Sequence, residues 1–104
     1  MIYKVYSVYD SEVKAYMQPF FMRSKGEAVR ALTSLLSDGN TNIAKYPHQF
    51  ILFAIGEFDD ESGVISHHTP ESLGVAIEYM PEKKIQATPS GYLDPKFDDG
   101  IERN

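Results

Sequence analysis

The sequence predicts a single α+β domain: a mainly antiparallel sheet of four or five strands with one helix packed on one face. Three features carry that expectation. Ile2 to Tyr9 places apolar side chains near every second position, the period of a strand. Ser24 to Asp38 carries apolar residues at helical spacing behind a capping signal. The run from Tyr46 to Gly63, YPHQFILFAIGEFDDESG, combines a rigid lead-in, one strongly apolar strand and an acidic hairpin turn.

The first strand puts Tyr3 and Val5 on one face and Ile2, Tyr6 and Val8 largely on the other, as in a central strand covered on both sides. Asp10-Ser11-Glu12 is a polar turn, and Val13 to Met22 is rich enough in aromatic and branched residues to return as a hairpin. Pro19 has no amide hydrogen and belongs at the edge of the sheet or at a break in it. Ser24-Lys25-Gly26-Glu27 has capping-box spacing: the serine oxygen accepts from the third helical amide and the glutamate reaches back to the serine amide. Ala28, Ala31, Leu32, Leu35 and Leu36 then form one apolar stripe, Lys25, Arg30, Thr33 and Ser34 face solvent, and Gly39 supplies a left-handed stop.

Asn40 to Lys45 is expected as a loop, and Pro47 biases Tyr46 toward an extended conformation. Gln49 to Phe58 is the central strand, Asp59 to Gly63 turns it, and Val64 to His67 is a short return. Ser72 to Tyr79 alternates again, with Leu73, Val75, Ile77 and Tyr79 opposite Gly74, Ala76 and Glu78, a small face that must lie close to something. Beyond Pro81, the residues Pro89, Gly91, Pro95 and Gly100 and a mixture of charges leave too few apolar side chains to drive packing. Residues 1–80 are therefore expected as the domain and residues 81–104 as a weakly structured tail, anchored through Tyr92, Leu93 and Phe97 on the chain's own body or a neighbouring subunit.

A chain of 104 residues without cysteine must be held by its core, and disulfides, thiolate metal sites and cysteine nucleophiles are excluded. The N-terminus lacks the apolar block of a signal peptide, and the apolar run Phe50 to Ile55 is far too short to cross a bilayer, so a soluble cytoplasmic protein without membrane contact is expected. A net charge of −5 argues against nonspecific duplex binding, which depends on Lys and Arg displacing phosphate counterions. The charge is uneven. Up to Leu52, Lys4, Lys14, Arg23, Lys25, Arg30 and Lys45 face only Asp10, Glu12, Glu27 and Asp38, and the acids concentrate in the remainder.

Asp59, Asp60 and Glu61 are consecutive, without the alternating ligand spacing of a calcium loop, and read as a solvated turn. His67-His68 point to opposite faces of any strand and read as an exposed turn pair, and His48 as a loop or capping residue. Nothing in the sequence supports catalysis, a cofactor or a metal. The combination with a binding mechanism behind it is Tyr16, Phe20 and Phe21 interleaved with Lys14, Arg23 and Lys25: rings stack unpaired bases while cations take phosphates. On residues alone, the plainer reading of those rings is core.

The order Val8-Tyr9-Asp10, Pro19-Phe20, Glu27-Ala28-Val29-Arg30, Tyr46-Pro47-His48-Gln49-Phe50, Leu52 to Asp59 and Ser72 to Ala76 resembles the small nonstructural protein of gokushovirus-type microviruses, which are single-stranded DNA phages. The resemblance runs from Tyr3 to about Tyr79. It implies a nonstructural role around the genome, either binding single-stranded DNA or helping replication switch to single-strand production for packaging. Gln49 departs from the pattern, which often has an acid there.

The expected function is thus a non-enzymatic phage protein that binds single-stranded DNA in the host cytoplasm. Lys14, Arg23, Lys25 and Arg30 would take phosphates, and Tyr16 with Phe20 would supply stacking surface. A homodimer is expected from unprotected sheet edges. The rival expectation is a protein-interaction module whose acidic half engages a host replication factor or an assembling capsid.

Overall fold

The structure, a computed structural model, describes residues 1–81. Its elements are β1 (Ile2–Asp10), β2 (Ala15–Tyr16), β3 (Phe20–Met22), α1 (Lys25–Ser37), α2 (Asn42–Lys45), β4 (Phe50–Asp59), β5 (Ile65–Val75) and a 3₁₀ turn (Ala76–Tyr79). The strands form one antiparallel sheet in the order β2-β1-β4-β5, with β3 also paired to β1 on the β2 side. The α+β class stands as expected. The tail beyond residue 81 and its anchors Tyr92, Leu93 and Phe97 lie outside the described residues.

Helix α1 starts where the capping signal puts it: the Glu27 amide donates to Ser24 Oγ at 3.3 Å, satisfying a donor that has no partner within the helix. The Glu27 carboxylate reaches back one residue further than expected and accepts from the Arg23 amide at 2.9 Å. Ala28, Leu32 and Leu36 are fully buried and, with Tyr6, Val8, Phe50 and Leu52 from the sheet, Ile43 from α2 and Ala76 from the 3₁₀ turn, make the core. All three non-strand elements therefore lie against the same side of the sheet.

Four expectations are corrected. Gly39 takes no left-handed conformation, because the end of α1 is closed by a side chain: Thr41 Oγ1 donates to the carbonyls of Leu35 and Asp38 at 2.8 and 3.2 Å. The same hydroxyl accepts from the Ala44 amide at 3.1 Å, so the segment expected as a loop contains the short helix α2. The two strands expected at Val64–His67 and Ser72–Tyr79 are one strand, β5, which ends at Val75 so that Ala76–Tyr79 turns as 3₁₀ instead, with Pro70 accommodated in an irregularity between the pairs Ala54↔Glu71 and Gly56↔His67. His67-His68 accordingly sit on that strand rather than in a turn, both exposed.

Close backbone approach at this irregularity requires a glycine, since a Cβ on Gly56 would collide with the Ser66 carbonyl oxygen. The small face expected near Val75 is also explained. Gly74, at φ +119°, lies under the Tyr79 ring, whose hydroxyl donates to the Leu73 carbonyl, while Ala76 is buried in the core. No helix among the described residues is long and apolar enough to cross a membrane.

Ser24→Ala should lower stability by roughly 0.5–2 kcal/mol, because the Glu27 amide loses its acceptor; an unchanged denaturant midpoint would refute the cap. Burial pushes the Tyr6 phenol above its ordinary value, with Lys4 opposing. A raised folded value means the contribution is whole below the unfolded phenol's ~10 and is lost as pH rises past it. Stability measured above about pH 10 should therefore fall less steeply in Tyr6→Phe than in the wild type.

Candidate nucleic-acid interface

The side of the sheet opposite the helices carries the rings. On β1, Tyr6 and Val8 point into the core, so strict alternation sends Tyr3, Val5, Ser7 and Tyr9 to the other face. Pairing with these residues brings Tyr16 opposite Tyr9, Phe21 opposite Val5, Phe53 opposite Ser7 and Phe58 opposite Tyr3. The rings meet in two groups. Tyr9, Tyr16 and Phe53 lie with centroids 4.8, 5.5 and 6.2 Å apart. Tyr3 and Phe21 each contact Phe58, at 6.4 and 5.6 Å.

No described element covers these six rings. Tyr16 and Phe21 are 46% and 44% exposed, and each forms a contiguous aromatic patch with its neighbours. Each group edges a hollow: Tyr3, Phe21 and Phe58 line one with Asp60 and Ile65, and Tyr16 lines another with Ile55, His67, His68 and Pro70. Beneath the rings, Ser7 is a buried hydroxyl that donates to the Met17 carbonyl at 2.6 Å, where the edge is interrupted between β2 and β3.

The residues singled out in the sequence divide between the two sides of the molecule. Tyr16 is on the open face, with Lys14 two residues away in the turn at its end, at φ 60° with its backbone N–H donating to the Asp10 carbonyl at 2.8 Å. Arg23 follows Phe21 by two residues just beyond β3. Phe20 lies on the opposite side, stacked 5.8 Å from Tyr6 and packed against the core. Lys25 lines a mixed-charge hollow with Lys4, Tyr6, Glu57, His68 and Glu71 on that same side, and Arg30 is exposed on α1. The plainer reading, core, thus holds for Phe20 and fails for Tyr16 and Phe21. Sequence reasoning left Tyr3, Tyr9, Phe53 and Phe58 out of the candidate surface.

The electrostatic frame is asymmetric. The β2–β3 edge, Val13 to Lys25, holds Lys14, Arg23 and Lys25 and no acid. The acids stand at the β4–β5 turn, where the Asp59 carboxyl is held below its usual range chiefly by the Glu61 amide, which donates to it at 3.0 Å. There the Met1 amine pairs with Asp60 at 2.8 Å and its proton affinity rises in consequence. Lys4 is similarly held protonated by Glu57 at 3.0 Å on the helix side. Among the described residues no group of three or more His, Asp or Glu side chains could hold a metal ion.

A family model described as Phage ORF5 protein matches residues 3–79. Comparison with curated proteins and with solved structures gives no match.

Because Tyr16 and Phe21 are nearly half exposed, Tyr16→Ala and Phe21→Ala should each cost less than the truncation of a core residue. Leu52→Ala, in the core, should cost about 2–5 kcal/mol. Denaturant melts of the three variants check this ranking, and equal losses would mean that the face is structural.

Proposed function

The chain belongs to the Phage ORF5 protein family, and from that membership we propose that it is a non-enzymatic protein that binds single-stranded DNA during phage genome replication or packaging, in the manner expected of a gokushovirus-type nonstructural protein. The observation that carries the reading is the set of six aromatic rings on one face of the sheet that no described element covers. Bases of an unpaired strand offer π-faces of any sequence to such rings, and each stacked base contributes roughly 1–3 kcal/mol.

Lys14 and Arg23 supply the phosphate contacts, since they flank the exposed rings on a segment, Val13 to Lys25, that carries no acid of its own, although the Glu27 carboxylate lies at the Arg23 amide. Lys25 and Arg30 lie toward the helix side and contribute little. A protein of net charge −5 gains modestly from counterion release. Its affinity rests more on stacking than is usual for a nucleic-acid binder.

Titration of fluorescent oligothymidylate at two salt concentrations tests this. Binding should weaken as salt rises, and Lys14→Glu or Arg23→Glu should each reduce the log–log slope by about 0.7, the single-strand value per phosphate. Lys25→Glu should leave the slope close to that of the wild type. If the wild type binds no single strand even at low salt, a protein partner for the same apolar face, or for the acidic β4–β5 turn, takes the place of DNA.

A further inference from the structure

The six rings do not form one continuous platform. Tyr9, Tyr16 and Phe53 contact one another at one end of the sheet, and Tyr3 and Phe21 each contact Phe58 at the other, with no ring contact among the described residues joining the groups. Between them β1 contributes Val5 and Ser7 and β4 contributes Gly56, all buried, and the half-buried Ile55, which lines the hollow beside Tyr16; none of the four bears a ring. The centres of the groups stand four to five residues apart along β1, about 15 Å at strand rise. Each group also has its own hollow and its own cation two residues along the chain, Lys14 beside Tyr16 and Arg23 beside Phe21.

We infer that the open face is a bipartite site, two base-stacking stations that a single DNA strand must bridge to bind tightly, its backbone following the β2–β3 edge from Lys14 to Arg23. The inference rests on the single-strand reading above and adds a minimum ligand length to it. Consecutive nucleotides of one strand lie about 3.4 Å apart in a duplex. Even stretched to twice that spacing, a dinucleotide engages one station only. A longer strand engages both, and the second contact is then intramolecular, with a high effective concentration. The charge pattern selects this occupant: the interrupted edge between the two cations, Met17 to Met22, is uncharged, and the acid beside the Phe58 station, Asp60, is paired with the Met1 amine.

The test compares a thymidine dinucleotide with an octanucleotide, following aromatic NMR shifts of the wild type, Tyr16→Ala, Phe21→Ala and the double variant. With the dinucleotide, the wild type should show shifts at both stations, each single variant should lose only its own station with at most about a twofold change in overall affinity, and the double variant should show none. With the octanucleotide, either single variant should weaken binding by about 5- to 150-fold, the worth of one stacked base. A dinucleotide response abolished by one substitution, or octanucleotide binding indifferent to one of them, overturns the bipartite site while leaving single-strand binding in place. A wild type that binds neither oligonucleotide overturns both readings.

Discussion

Everything about the two faces of this molecule depends on the unbroken alternation of β1 and on one extra residue in the chain on each side of it. Along β4 the register with β1 shifts between Val5↔Gly56 and Tyr6↔Ala54, so Ile55 is inserted as a bulge. On the other side, three steps of β1 from Tyr9 to Tyr6 are matched by four steps from Tyr16 to Phe20. A one-residue slip exchanges the faces of every later side chain. Phe53 and Phe58, five residues apart, therefore share a face, and so do Tyr16 and Phe21. Without the two insertions, the rings of each neighbouring strand would be split between the core and solvent.

The helix-side face is closed by burying Leu32, Leu36, Phe50 and Leu52 in one cluster with Tyr6, Val8, Ala28, Ile43 and Ala76. The opposite face is half closed: its floor of Val5 and Ser7 is buried while its rim of rings is open. Ser7 shows how the interruption of the edge is stabilised. Its hydroxyl takes the Met17 carbonyl, so the polar group exposed by breaking the ladder between β2 and β3 still has a partner. A break at which the Met17 amide and carbonyl both keep partners lets the strand edge switch the side on which its aromatic residues lie.

What the sequence revealed was whatever local chemistry determines. The cap at Ser24, the alternation of β1 and the Asp59–Gly63 turn rest on residues within a few positions of one another and are where the pattern puts them, while the apolar stripe of α1 holds at Ala28, Leu32 and Leu36 but not at Leu35, which is exposed. Thr41 was missed because its hydroxyl caps α1 six residues back and α2 three residues ahead, a double use that no spacing rule singles out. The candidate surface was only partly legible for a related reason. Tyr16 and Phe20 have the same parity and would share a face in a continuous strand; the extra residue lies between them, and its presence is decided by pairing with β1. Pro19 was the visible signal. A proline that must sit at a break also permits a change of parity there, which would have pointed to Phe21 rather than Phe20.

The same geometry accounts for how a net acidic protein could prefer unpaired DNA. In a duplex the bases are already stacked on one another and present only their edges, so a face of rings gains nothing from them, while the phosphates meet a chain whose acids outnumber its Lys and Arg by 15 to 10. In a single strand the bases can turn outward, and burying a base against Tyr16 or Phe21 removes apolar surface from water on both partners. The acids need not be neutralised for this to occur, only kept off the edge along which the backbone runs. Their distribution is close to that: Val13 to Lys25 has none of its own, with Glu27 reaching in only as far as the Arg23 amide, and the β4–β5 turn has three in succession. On the proposed reading, selectivity for the unpaired strand thus follows from placing the attraction in rings and the repulsion in net charge, two terms that respond oppositely to whether the bases are paired.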